Sequence, residues 1–119
     1  MERQLSRREL LVEFSVACAA LREVGNQGDA MRFDNDRVFR FAIAFLWLRA
    51  AEPACQLRKR RLVDEVTRDS WSALCIVRNT LAHGRGEDIG FGALWRELSG
   101  GLISMEAQAA KLLGDDSPG

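Results

Sequence analysis

Eight consecutive apolar residues, Phe41-Ala-Ile-Ala-Phe-Leu-Trp-Leu48, lie at the centre of a helix-forming segment and constrain this chain more than any other feature. The run is far short of the ~18 residues that a membrane span needs. As a helix it is apolar all round, so every side of it has to be covered. A chain of 119 residues with 47% hydrophobic content can build one core. An isolated bundle of that size cannot enclose one of its own helices completely. Part of this segment is therefore expected to meet another subunit.

The rest of the chain divides into helical segments, with no run that alternates as a strand would. Leu10, Phe14, Ala17, Leu21 and Val24 recur at spacings of four and three, one face of a helix from about Ser6 to Val24, ended by Gly25 and Gly28. A second helix is expected from a cap at Asp34 or Asn35 to about Glu52, before Pro53. Residues 54–67 form a basic helical or irregular link. Asp69 or Ser70 is expected to cap a third helix that stops at Gly84. The last runs from about Phe91 to Leu113, weakened or kinked at Gly100-Gly101. These segments imply an all-α protein, an antiparallel four-helix bundle with residues 1–113 as one domain and 114–119 as a disordered tail.

Lys and Arg number 17 and Asp and Glu number 17, so net charge gives no argument for nucleic-acid binding. A local patch could, and Arg58-Lys59-Arg60-Arg61 with Arg68 is the candidate, although such a run serves equally well as a solvated helix face. Cys18, Cys55 and Cys75 are too widely spaced for a zinc motif and are expected to be reduced, mostly core residues. Met1 leads directly into charged, helix-forming sequence, so no leader is expected and the expected location is cytoplasmic.

The chemistry concentrates in Arg78-Asn79-Thr80-Leu81-Ala82-His83, which holds the sole histidine. Arg78 falls at i+7 from Trp71, i+4 from Leu74 and i+3 from Cys75, on an apolar stripe. A guanidinium aimed there needs an anion, a carboxylate or a ligand to meet it. Glu52 and Asp36 are the carboxylates considered for a purely structural pairing.

Arg78-Asn79 and then His83-Gly84, with Glu52 ending a strongly apolar helix, Ser70-Trp71 opening the motif helix, Asp88-Ile89 in a short loop and Leu94-Trp95 on a last amphipathic helix, resemble HEPN domains. The likeness is to the HEPN toxins paired with minimal nucleotidyltransferases and covers roughly residues 5 to 113. It implies a HEPN-like bundle and a metal-independent ribonuclease without cofactor. It further implies a homodimer with a shared cleft, RNA as substrate and a nucleotidyltransferase antitoxin as partner. One position departs from the pattern: many of these toxins carry a tyrosine two residues after the histidine, where the partner attaches AMP. Arg85 stands there, and the chain contains no tyrosine, so control by that modification is not expected.

Carried over residue by residue, the resemblance implies His83 as general acid or base and Arg78 as phosphate clamp. Asn79 would orient the turn or bind substrate, and Glu52 would tune or support the site. Arg85, where the chain departs from the pattern, is expected on its own charge to extend the phosphate-binding surface. RNA supplies its own nucleophile, the 2′-hydroxyl, so the expected ends are 2′,3′-cyclic phosphate and 5′-hydroxyl. The chain shows no second histidine, cysteine pair or carboxylate cluster that would form a metal site. Five residues on an ideal helix separate two side chains by about 140°, so Arg78 and His83 converge only if the helix ends between them or the arginine reaches round. His83 also has a plain reading as a helix-terminal histidine bonding a carbonyl, and Asn79 as a helix residue bonding its own backbone. Trp71 and Trp95 are expected in the core. Two other functions remain beside the nuclease: a catalytically silent bundle that binds a nucleotidyltransferase or presents its substrate, and a plain helical dimerisation module.

Overall fold

Ser6 is the N-cap of the first helix. Its hydroxyl accepts from the Glu9 N–H while the Glu9 carboxylate accepts from the Ser6 N–H, a reciprocal capping box. The computed structural model describes residues 4–83 and 90–115. Among the described residues the regular elements are all helical: α1 (Arg7–Gly25), α2 (Ala30–Asn35), α3 (Arg37–Lys59), α4 (Glu65–Ser70), α5 (Ser72–His83), α6 (Phe91–Arg96) and α7 (Gly101–Asp115), with a 3-10 turn at Glu97–Ser99. The protein is all-α.

Several boundaries differ from expectation for reasons visible in the packing. The connection after α1 contains the extra short helix α2, capped by Asp29. It is retained because Phe33 is buried against Phe91 and Trp95. Asp36, one residue beyond the expected caps, caps α3 by accepting from the Phe39 N–H. Pro53 does not end α3, which continues to Lys59. Proline removes one backbone bond from a helix interior. The buried face of α3, however, continues past it through Ala54, Cys55 and Leu57, and that burial offsets the loss.

Asp69 and Ser70 lie in α4 rather than capping α5; Trp71 is the junction residue, and Asp64 caps α4. The expected last helix is broken into α6, the 3-10 turn and α7 at Gly100, whose φ −126° and ψ −90° are not helical. The α7 helix extends through Asp115, so residues 114 and 115 are helical and not tail; residues 116–119 lie outside the described set.

Long-range bonds give the directions of the longer helices. Arg60 Nη1 donates to the Leu5 carbonyl at 2.7 Å and Arg7 Nε to the Leu62 carbonyl at 2.6 Å, so the end of α3 meets the start of α1 and the two run antiparallel. Arg22 near the end of α1 pairs with Glu106 of α7 at 2.6 Å. Trp71 is fully buried, stacks on Phe14 with centroids 4.7 Å apart, and donates its indole N–H to Gln108 of α7. Trp47 of α3 donates to the Leu94 carbonyl at 3.0 Å, pinning α6 over the core. Trp95 is partly buried among Phe33 and Phe39. All three tryptophans are thus packing residues, Trp71 and Trp95 as expected.

The apolar run of α3 divides into two faces. Ile43, Trp47, Ala50 and Ala51 enter the core. Val38, Phe41 and Phe45 point outward and are 78%, 53% and 60% exposed. Among the described residues no helix is long and apolar enough to cross a membrane.

Candidate functional site

Arg78 occupies the stripe that the spacing of α5 indicates, following buried Trp71 and Leu74 and half-buried Cys75. A carboxylate meets it. Arg78 Nε donates to Glu52 Oε1 at 3.0 Å, and Nη1 donates to Asn79 Oδ1 at 3.2 Å. Nη2 has no partner among the described residues, which leaves its N–H groups free for a further anion. Glu52 is the carboxylate Arg78 selects; Asp36 instead pairs with Arg32 at 3.4 Å. The Arg78 and Glu52 side chains are 31% and 43% exposed, so screened by water the pair contributes about 0–1 kcal/mol. Orientation of the guanidinium is its larger effect.

Glu52 closes a row on the outer side of α3. Phe41, Phe45, Arg49 and Glu52 follow at spacings of four, four and three, so they share one face. Beside this row Val12 and Val16 of α1 with Leu46, Arg49, Glu52 and Pro53 line a groove of about 340 Å³. An exposed aromatic edge therefore passes into a patch with two arginines, Arg49 and Arg78, and two carboxylates, Glu13 and Glu52.

The α5 helix does not end between Arg78 and His83; it runs unbroken from Ser72 to His83. Convergence of the two therefore has to come from the reach of Arg78 or from a second copy of the chain. The His83 side chain, Gly84 and Arg85 lie outside the described residues. Asn79 is exposed and joins the site by accepting from Arg78 through its side chain. Among the described residues no group of three or more His, Cys, Asp or Glu side chains is placed to hold a metal ion.

The basic run at the end of α3 is partly committed to structure. Arg58 Nε donates to the Arg68 carbonyl at 3.2 Å and Arg60 ties down Leu5, while Lys59 and Arg61 remain exposed. Arg61 sits at φ +55°, the left-handed turn by which the chain leaves α3.

Sequence spacing missed one cluster. Cys55 and Cys75 are together, with Sγ of Cys75 donating to Sγ of Cys55 at 2.8 Å. The signal was present in combination: Cys55 follows Glu52 by one turn and Cys75 precedes Arg78 by one turn. An antiparallel α3/α5 pair joined at Glu52–Arg78 brings the two thiols into register. Burial pushes the Cys55 thiol up to about 11, and the hydrogen bond from Cys75 adds to the shift. Cys18 is buried in the core and its thiol is pushed up to about 12, first by burial and then by Glu106.

Comparison with protein-family models, with curated proteins and with solved structures returns no match for this chain.

Proposed function

We propose that this chain is a metal-independent endoribonuclease of HEPN type, a four-helix bundle that works as a homodimer and serves as the toxin of a toxin–antitoxin pair. The observation that carries the reading is the row Phe41, Phe45, Arg49, Glu52, an exposed aromatic edge that terminates at the carboxylate holding Arg78. Large exposed apolar side chains grouped on one face mark an interaction surface. A two-fold axis near Arg49 would bury Phe45 of each copy against the other's groove beside Val12 and Val16. It would also turn two Arg78 guanidinium groups toward one cleft, to which the reading assigns the two His83 imidazoles.

In that cleft the RNA 2′-oxygen attacks the adjacent phosphorus, forming the O2′–P bond as the P–O5′ bond breaks. One His83 accepts the 2′-hydroxyl proton, and the second delivers a proton to the leaving 5′-oxygen. Two copies remove the conflict of one imidazole acting as acid and base in a single step. The Nη2 edge of Arg78, without a partner among the described residues, faces the negative charge that grows on the phosphorane, while Glu52 and Asn79 hold the guanidinium plane.

Purified protein incubated with total RNA in EDTA, beside Arg78→Ala and His83→Ala, tests this. Wild type is expected to release fragments with 2′,3′-cyclic phosphate ends, and each substitution to slow cleavage about 100-fold or more. Cleavage by His83→Ala at the wild-type rate would remove the proposed chemistry.

The engagement of Arg78 by Glu52 and Asn79 favours one second reading, a catalytically silent bundle that binds a nucleotidyltransferase partner or presents its substrate. There the arginine would serve as a helix–helix tie. A folded, dimeric wild type that cuts no RNA would support that reading.

A further inference from the structure

The pairing of Cys55 with Cys75 is independent of the nuclease reading. The two sulfurs come from different helices and stand 2.8 Å apart. A disulfide bond is about 2.05 Å long, so the sulfurs need to close by only ~0.8 Å. They flank the α3/α5 contact one turn from Glu52–Arg78. The site is also asymmetric: Cys75 is half-buried and reachable, whereas Cys55 is buried behind it. We propose that Cys55 and Cys75 form a reversible intramolecular disulfide, made by exchange with a low-molecular-weight disulfide, that locks α5 onto α3 beside the Arg78–Glu52 pair.

The exchange balances in two steps. The Cys75 thiolate attacks one sulfur of the small disulfide, whose S–S bond breaks and releases one thiol. Cys55 then loses its proton and attacks Cys75 Sγ, which releases the second thiol and forms the Cys55–Cys75 bond. The protein gives up two electrons and two protons, and both appear in the two small thiols. Cys55 suits the resolving position because burial and the Cys75 hydrogen bond keep it protonated until attack is intramolecular. Cys18 is fully buried, with Glu106 of α7 acting on its thiol, and stays reduced.

The link closes a loop that spans the basic connection and α4, so it restricts the unfolded chain as well as the helix pair. Oxidised protein is expected to melt roughly 5–15 °C above the reduced form. The folded full chain is to be incubated with oxidised glutathione, then denatured, alkylated and weighed. Alkylatable thiols are expected to fall from three to one, the chain to become lighter by two hydrogens, and dithiothreitol to restore all three. Peptide mapping should join Cys55 to Cys75, and Cys75→Ser should leave its two remaining thiols free. Three free thiols after treatment, a persistent glutathione adduct on Cys75, or a disulfide between two chains would overturn the proposal. A Cys55–Cys75 bond that leaves the melting temperature unchanged or lower would overturn the lock.

Discussion

Arg78 shows how a single residue is placed by local and remote forces acting together. Helical spacing puts it on the stripe below Trp71 and Leu74, and the carboxylate of Glu52 then fixes where its guanidinium points. The capping aspartates are simpler cases. Asp36 is held below the usual carboxylate range by the Phe39 N–H and then by Arg32; Asp64 is lowered by the Thr67 N–H and hydroxyl. A depressed folded pKa means that each cap stabilises fully above the unfolded value of 3.8 and that this is lost as pH falls through the lower folded value. Asparagine caps as well as aspartate but does not titrate. Asp36→Asn is thus expected to match wild type near about pH 6 and to lose less stability between there and about pH 3, as measured by urea unfolding.

Among the elements, α1 was legible almost to the residue, because its apolar period and its terminal glycine agree. The break at Gly100 was legible for the same reason. The α2–α3 corner was not, since it depends on partners distant in the chain. There Gly28 lies under the Phe39 ring, and Arg32 sits over that ring's face at 4.4 Å. A β-carbon at Gly28 would stand 2.8 Å from the ring and 2.9 Å from Arg32. Gly28→Ala is expected to cost about 1–3 kcal/mol in chemical denaturation by forcing α3 off its seat. An unchanged midpoint would show that the corner relaxes freely.

For the whole molecule, the exposed outer face of α3 is the surface on which the proposed dimer rests. Phe45 is mostly exposed in one copy, so Phe45→Glu is expected to leave the fold intact while abolishing the dimer. Sedimentation at micromolar concentration reads this directly: wild type as a dimer, the variant as a monomer with the same circular dichroism. A wild-type monomer would detach the aromatic row from the proposed cleft.

Local pattern alone carries the helical character of the chain, the extent of α1, the interruption at Gly100 and the place of Arg78 on an apolar stripe in need of an anion. Those properties are encoded within about one helical turn, through caps, period and glycine. Tertiary packing is what sets Glu52 rather than Asp36 against Arg78, carries α3 through Pro53 and brings Cys55 onto Cys75. It also decided which side of the apolar run stays open to solvent. Each of these depends on the register between helices, which is set by side chains packing across large sequence separations, and no local pattern carries that information.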